Sequence, residues 1–305
     1  MAQGMFCGGT QKIVVFIPLV ACLGLKLDVR TSDEPECKGK LVASKKLCSE
    51  VDPETKKKCG DRFVEVSAGQ YMQCVWESSE CLTASGLNEY CKKPSAPQPT
   101  KDGMFAWFKS EDASTSNWKS KVGNFKGFGT GNGMKIETEE GHGAKKKVKF
   151  LKGSNADIFD FDAILPKDYT ICSVSRYTGG HKNRILQAGK PLNWLHGHWA
   201  GNTGVTYYQE WNTQSSRHHG SEDWVVLCGT NNKQVYDGRD PSKNIAGSVG
   251  KAFAQVEKLY VNRGHHEYSD FGVMEIITYK KQLTEKEIQA TIEYLKWKLE
   301  NGTPE

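Results

Sequence analysis

The sequence lacks a long apolar run, a strong charge bias and, before Thr284, any extended helical pattern. Its longest apolar stretch, Ile13 to Leu25, is shorter than the roughly 20 residues of a transmembrane helix, so we expect no stable membrane span. The 41 Lys and Arg residues barely exceed the 36 Asp and Glu residues, and no basic stripe typical of nucleic-acid-binding proteins is present. The missing helices argue against a parallel α/β fold, and the 31 glycines favour an all-β body with many turns.

The N-terminal segment predicts export. Lys12 precedes the apolar stretch and polar sequence follows it at once, which is the pattern of a cleaved signal peptide over residues 1–25. Two alternatives stay open. Leu19 to Cys22 matches a bacterial lipoprotein box that would place a lipid on Cys22, and the segment could instead be retained as a membrane anchor. We expect a secreted, extracellular protein or one held in the lumen of a secretory organelle.

Cysteine is concentrated between residues 30 and 93. In an exported chain such density indicates a disulfide-stapled module, because so short a segment cannot build an adequate core. Zinc binding is the weaker interpretation, since the window contains no histidine and no C-x-x-C pair. The sequence does not choose among the 15 possible pairings of these six cysteines. They are Cys37, Cys48, Cys59, Cys74, Cys81 and Cys91.

A proline-rich stretch from Lys93 to Thr100 separates this module from the rest of the chain. We predict a semi-rigid, exposed linker over residues 94–102.

Beyond the linker, short strand candidates recur at regular spacing, with Gly, Asn, Asp and Ser clustered between them. This pattern predicts that residues 103–302 form an antiparallel two-sheet jelly-roll sandwich. The ten candidates are Phe105–Phe108, Met134–Thr138, Lys147–Leu151, Ile158–Phe161, Tyr169–Tyr177, Arg184–Ala188, Val205–Trp211, Trp224–Cys228, Gln255–Asn262 and Phe271–Tyr279.

The chain closes with an alternating strand over residues 272–279, a short polar turn and one amphipathic helix. Thr284 and Glu287 have the spacing of a capping box at the start of that helix. Apolar residues then follow at helical spacing from Ile288 to Leu299.

This strand and helix ending resembles the close of laminin-G-like or concanavalin A-like jelly rolls. The segments Tyr169–Tyr177, Arg184–Trp211 and Trp224–Gly229 are similar to the central strands of secreted domains of that group. The resemblance implies a concanavalin A-like sandwich that binds carbohydrate or matrix, and calcium is the cofactor that laminin-G-like domains most often carry.

The densest cluster of aromatic, histidine and glycine residues predicts a glycan-binding site. Aromatic faces would stack on sugars, while histidine and asparagine would hydrogen-bond hydroxyls. Trp194 and Trp199 flank a polar loop and are expected to be exposed, although aromatics that fill the sandwich core are the alternative. The predicted contact residues are Trp194, His196, His198, Trp199, Asn202 and Tyr207.

Metal binding has two weaker candidates. Calcium requires several hard oxygen ligands, which Asp160, Asp162, Asn262 and Asp270 supply by type although no D-x-D-x-D-G loop is present. His196 and His198 would share one face of a strand, as transition-metal ligands often do, and the adjacent pairs His218-His219 and His265-His266 lie in predicted loops. No cofactor is certain.

Catalysis is not predicted. No G-x-S-x-G elbow or P-loop is present. Jelly-roll glycosidases place paired carboxylates on one strand face, but the glycine-rich surroundings of Glu137 and Glu139 predict an exposed hairpin. Glu275 falls inside the closing strand, where the family resemblance implies a structural carboxylate.

Two covalent features remain. Cys172 and Cys228 are each central in a predicted strand, and an exported chain rarely keeps two free thiols, so we predict that they form a disulfide; buried free thiols are the alternative. The sequon at Asn301 is expected beyond the closing helix, where it would carry a glycan in a glycosylating host.

The sequence therefore predicts a non-catalytic extracellular protein that binds glycan or matrix polymer. A structural building block of a wall, scale or extrusome, acting through protein contacts and self-association, is the first alternative, and a glycoside hydrolase is the second.

Overall fold

The computed structural model of the protein describes residues 37, 40–41, 48, 59, 62–67, 70–77, 80–83, 90–91 and 95–303. The predicted signal peptide over residues 1–25, with the alternative lipid on Cys22, lies outside the described residues. The chain divides into two compact units between Ser95 and Ala96, within the predicted linker. No helix among the described residues has the length and apolar character needed to cross a membrane.

The first unit contains a small, mainly antiparallel sheet. Its strands are β1 (Lys40–Leu41), β2 (Arg62–Ser67), β3 (Gln70–Glu77), β4 (Glu80–Thr83) and β5 (Tyr90–Cys91). Strand β3 pairs antiparallel with β2, β4 and β5, and β1 adds to β2 in parallel.

Disulfides stabilise this unit, as the sequence predicts. Cys48 is bonded to Cys74 across a Cα–Cα distance of 5.7 Å. Cys37 and Cys59 are also disulfide-bonded, while the side chains of Cys81 and Cys91 lie outside the described part of the chain. Because Cys48, Cys59 and Cys74 are themselves buried together, the cysteines provide much of the unit's small core.

The second unit contains fifteen strands among its described residues. They are β6 (Met104–Phe108), β7 (Trp118–Lys119), β8 (Lys126–Thr130), β9 (Lys135–Gly141), β10 (Ala144–Gly153), β11 (Ile158–Asp160), β12 (Thr170–Tyr177), β13 (Leu186–Ala188), β14 (Trp194–Trp199), β15 (Asn202–Tyr208), β16 (Val225–Thr230), β17 (Gln234–Asp237), β18 (Asp240–Asn244), β19 (Leu259–Val261) and β20 (Phe271–Tyr279).

These strands form two antiparallel sheets. The first has the order β18-β17-β16-β12-β20-β10-β9, with β6 beside the second half of β20, and the second has the order β15-β14-β13-β19-β11-β8-β7. Large side chains from both sheets, including Phe108, Trp118, Phe159, Trp194 and Phe271, are buried in one cluster between them. The predicted all-β, two-sheet antiparallel sandwich is confirmed. Its assignment to the concanavalin A-like class stays a prediction.

The closing helix is also confirmed. Helix α1 (Glu285–Asn301) begins with the predicted capping box, in which Thr284 and Glu287 bond each other's backbone amides. Its apolar face, which includes Ile288 and Leu295, packs on the outer face of the first sheet. The predicted Cys172–Cys228 disulfide is buried beneath the helix and joins directly opposed residues of β12 and β16.

The regular alternation predicted for β20 is interrupted by a β-bulge. Val273 pairs with Ser175, and Glu275 pairs with Val174, so Met274 has no partner in the ladder. The extra residue shifts the faces of the strand. Val273 points into the core between the sheets, whereas Glu275 lies under helix α1.

The sequence missed five strands of the second unit: β7, β8, β14, β17 and β18. Four of them, β7, β8, β17 and β18, contain only two to five residues, which weakens the periodic signal. The error matters most at β14, because Trp194 and Trp199 were expected to flank a polar loop and both to be exposed.

Two boundary predictions are also corrected. Pro99 is buried, and Thr100 bonds helix α1 through Glu287 O and Thr291 Oγ1, so the end of the predicted linker is not exposed. Asn301 is the exposed last residue of the helix rather than a residue beyond it, and its amide donates to Trp297 O at 2.9 Å. Glycosylation of Asn301 stays a prediction.

Candidate functional site

The β14–β15 hairpin organises the site. Trp199 pairs with Asn202 across a two-residue turn formed by Ala200 and Gly201. Both turn residues have positive φ, 47° and 79°, as a type I′ hairpin turn requires. Alternation along β14 then directs Trp194, with its even-numbered neighbours, into the sandwich and directs Trp199 to the opposite, outer face of the second sheet.

This alternation corrects half of the predicted contact residues. Trp194, His196 and His198 are each fully buried between the sheets, so they are not exposed to a glycan. Asn202 is 7% exposed, and its side chain holds the turn by bonding Ala200 O and the Arg217 amide. The core alternative is therefore correct for Trp194.

His196 belongs to a buried aromatic stack. Its ring is nearly parallel to those of Trp194 and Tyr208, with ring centres 6.2 Å and 6.1 Å away, and those two rings stack on each other at 5.2 Å. Nδ1 is 2.7 Å from Tyr208 Oη and Nε2 is 3.3 Å from Leu227 O. Because the Leu227 carbonyl can only accept, Nε2 carries the proton and Nδ1 accepts from the tyrosine hydroxyl. Both nitrogens are occupied, so His196 is not available as a metal ligand.

Burial also keeps both strand histidines neutral. It lowers the pKa of His196 to about 3, and it lowers the pKa of His198 to about 3 with help from the charge of Arg239. His198 Nδ1 is 3.5 Å from Ser175 Oγ, while Nε2 has no hydrogen-bond partner. These imidazoles are core groups whose protonation would oppose folding.

The outer face of the hairpin carries three half-buried aromatic rings, Trp199, Tyr207 and Trp211, which we call the aromatic trio. The Trp211 ring centre lies 5.1 Å from that of Trp199 and 5.2 Å from that of Tyr207, with interplanar angles of 66° and 83°. A β-bridge between Tyr207 and Trp211 fixes the backbone beneath them. Trp199 and Tyr207, the two remaining predicted contact residues, are thus brought together.

A charged pair borders the aromatic trio. Glu267 accepts a 3.0 Å hydrogen bond from the Trp199 indole nitrogen and forms an ion pair with Arg184. Arg184 also donates to Asn193 Oδ1 at 2.7 Å. Burial lowers the pKa of the Arg184 guanidinium, while Glu267 and the Tyr207 phenol act in the opposite direction. The pair therefore places a donor-rich group and a carboxylate beside exposed aromatic surface.

Residues 263–267 form the backbone segment next to the Arg184–Glu267 pair. Gly264 has a φ of 113° and approaches so closely that a Cβ would lie 2.8 Å from Ala188 O. His265 Nε2 is 2.9 Å from Leu192 O. Gln187 lies in register with Leu195 and Tyr207, on the outer face, yet it is fully buried and its amide has no hydrogen-bond partner. Segment 263–267 lies against the C-terminal end of β13, where Gly264 approaches Ala188.

The four predicted calcium ligands are engaged by protein groups. Asp160 pairs with Lys258, and Asp162 Oδ1 accepts from Ala163 N. Asp270 accepts backbone amides of residues 155 and 181, and the Asn262 amide group bonds backbone atoms of residues 154, 157 and 269. Among the described residues no group of three or more His, Cys, Asp or Glu side chains is arranged to hold a metal ion. Calcium binding at these positions stays a prediction.

The other candidate carboxylates have structural surroundings. Glu137 and Glu139 share the same face of β9, where they pair with Lys135, Lys152 and Arg176. Burial opposes ionisation of Glu137, but hydrogen bonds with Glu139, Lys135 and Lys152 lower its pKa to about 2. Such a group remains ionised and does not suit the general-acid role of a glycosidase.

Sequence reasoning missed Arg184, Glu267 and Trp211 as site residues. Trp211 had a detectable signal, because it follows Tyr207 at an interval that one tight turn can bridge. Arg184 and Glu267 are more than eighty residues apart, and no local pattern indicates that they meet.

No protein-family model matches the sequence, and no curated protein matches it. Several solved structures share distant similarity with it. Domain 4 of AbnA, a GH43 extracellular arabinanase from Geobacillus stearothermophilus, in complex with arabinotriose, gives a TM-score of 0.45 at 16% identity, over 62% of this chain and 98% of that domain. The binding domain of Paraclostridial Mosquitocidal Protein 1 gives 0.42 at 12% identity, over 63% and 52%.

Trypanosoma rangeli sialidase gives a TM-score of 0.39 at 12% identity, over 77% of this chain and 44% of the sialidase. This chain therefore spans less than half the length of that enzyme. Similarity at this level carries no conclusion about ligand or activity.

Proposed function

We propose that the protein is a secreted carbohydrate-binding protein and that the aromatic trio is its contact surface. The observation that supports this proposal is the grouping of Trp199, Tyr207 and Trp211 as half-exposed rings on one sheet face. Flat apolar rings beside a few fixed polar groups are the usual composition of a saccharide or small-ligand site. Arg184 and Glu267 supply those polar groups.

The two interactions have different roles. The rings stack on the C–H faces of a pyranose or furanose, which provides most of the buried apolar area. Arg184 donates to sugar hydroxyls through guanidinium hydrogens left free by Glu267 and Asn193, and the carboxylate keeps the guanidinium in place. Catalysis is not part of the proposal, because both Glu267 oxygens already face donors.

Binding of the disulfide-intact protein to an array of soluble oligosaccharides tests the proposal. We expect retention on at least one saccharide class and a loss of about tenfold in affinity, equivalent to about 1.4 kcal/mol, in Trp211→Ala. Trp297→Ala is the matched control, because Trp297 is a half-buried tryptophan on helix α1, on the outer face of the other sheet. Absence of binding to the array, or equal loss in both variants, would contradict the proposal.

A further inference from the structure

We propose that the aromatic trio selects uncharged saccharides, and that Glu267 is the residue that sets this selectivity by neutralising Arg184. This inference rests on the proposed function and names the ligand class of the same site. It depends on the ion pair between Arg184 and Glu267, and on the net charge and the hydrogen-bonding groups that this pair presents to a ligand.

The first step concerns the charge presented to a ligand. Arg184 is 6% exposed and lies at the border of the trio, where a bound sugar would contact it in a partly dehydrated environment. Alone, a buried guanidinium would attract a carboxylate or sulfate strongly. Its pairing with Glu267 leaves no net charge at this position.

The second step concerns the hydrogen bonds that remain. A guanidinium has five N–H donors, of which Asn193 and Glu267 use part. The remaining hydrogens and the carboxylate lone pairs form a mixed set of donors and acceptors. Such a set complements sugar hydroxyls, which donate and accept, whereas an anionic group can only accept and would be repelled by the Glu267 carboxylate.

Other charges near the site have weaker effects. Glu210, next to Trp211 in the sequence, is exposed and lies 3.4 Å from Lys251, so the two largely cancel. Lys190 and Arg263 are exposed, and Arg263 lies over the Tyr260 ring, 5.0 Å from its centre. Exposed charges are screened over about 8 Å at physiological salt, whereas the buried pair is screened much less.

Binding to matched saccharides tests the inference. The probes are a neutral oligosaccharide bound by the protein and its carboxylated analogue. For the native protein we expect at least about tenfold preference for the neutral form and little change between about 50 mM and about 500 mM NaCl. In Glu267→Gln, which retains an oxygen for the Trp199 indole, Arg184 loses its counter-charge. The preference should then fall at least about tenfold, and binding of the carboxylated form should become salt-sensitive.

Two further variants separate charge from folding. The double variant Arg184→Gln/Glu267→Gln is again neutral and should regain the neutral preference. Glu210→Gln removes a nearby exposed carboxylate and should leave the preference unchanged. Native preference for the carboxylated analogue, or the same preference in Glu267→Gln and native protein, would overturn the inference while the proposed function stands. If the native protein bound no saccharide, or if Trp211→Ala left the saccharide affinity unchanged, the proposed function itself would be wrong.

Discussion

Glu275 and Lys298 form a buried ion pair between strand β20 and helix α1. Glu275 is fully buried, and Lys298 is 1% exposed. The carboxylate also accepts hydrogen bonds from the Trp107 indole at 2.7 Å and the Tyr294 hydroxyl at 2.6 Å. The lysine donates to Ser110 and Glu111. Glu111 also pairs with Lys109 at 3.6 Å, so each carboxylate of the network faces a lysine, and the network joins the helix to the sheet at one position.

Removal of one partner of this pair should be costly. In Lys298→Met the Glu275 carboxylate stays buried without its counter-charge, and we expect a loss of about 3–5 kcal/mol in the free energy of unfolding. Urea unfolding followed by tryptophan fluorescence measures it. Lys296→Met, on the same helix, should change the value by less than about 0.5 kcal/mol. A loss below about 1 kcal/mol in Lys298→Met would mean that the buried pair is not important for stability.

The Cys172–Cys228 disulfide should stabilise the sandwich by restricting the unfolded chain. The two cysteines are 56 residues apart, and the chain-entropy relation gives a stabilisation of about 4 kcal/mol for a loop of this size. The variant Cys172→Ala/Cys228→Ala should lose an amount of that order in denaturant unfolding. Since the sulfurs are buried under helix α1, an unchanged midpoint would show that packing of that region, rather than the cross-link, stabilises the sheet.

Acid should destabilise the protein through its buried histidines. The folded pKa values of His196 and His198 are lowered to about 3, against 6.5 in the unfolded chain. Between these values the unfolded chain binds more protons than the folded one, so stability is complete above about pH 6.5 and falls as the pH decreases. Each histidine contributes about 1.4 kcal/mol per pH unit well inside this window.

Unfolding free energies measured from about pH 7.5 to about pH 5 avoid most carboxylate titration, and comparison of histidine variants isolates the contribution of His198. His198→Leu should reduce the number of protons taken up on unfolding, given by the slope of the unfolding free energy against pH, by about one. His219→Leu, at an exposed position, should not change that slope. Identical pH profiles for His198→Leu and the native protein would contradict the assignment of a neutral buried imidazole.

The hairpin that carries Trp199 should be improvable at its turn. Ala200 has a φ of 47°, a left-handed conformation that alanine adopts at a cost of about 1 kcal/mol, and Gly201 already meets the requirement of the next position. Ala200→Asn gives the preferred Asn-Gly sequence and should stabilise the protein by about 0.5–1 kcal/mol, while Ala200→Val should destabilise it. Thermal unfolding of both variants measures the difference, and the opposite order would exclude a type I′ turn.

Features that depend on interactions between residues close in sequence were predicted correctly, whereas features that depend on strand pairing between distant segments were not. Local chemistry was sufficient for the capping box at Thr284 and Glu287 and for the short-strand pattern of the sandwich. The pairing of Cys172 with Cys228 also followed, because only these two cysteines lie outside the N-terminal segments. Strand β14 was missed because its glycine and histidines resemble a loop, and only pairing with β13 and β15 makes it a strand.

The candidate site was predicted only in part for a related reason. The residues were chosen by type, and type alone does not state on which face of a strand a residue lies. Trp194 and Trp199 lie on opposite faces of strand β14, so Trp194 is in the core and Trp199 is at the surface. A single bulge at Met274 likewise moves Glu275 from the expected alternation to the helix interface.

Periodicity, capping and cysteine spacing act over a few residues, so they were sufficient to predict an all-β two-sheet body, its closing helix and a cysteine-rich N-terminal unit. The half-buried position of Trp199, Tyr207 and Trp211 and the charges that meet beside them result from contacts between distant segments. Arg184 and Glu267 come together where the segment before β20 runs beside the residues that precede β13, with the Arg184 amide donating to Glu267 O. Such contacts depend on strand order and register, which no short window of sequence contains.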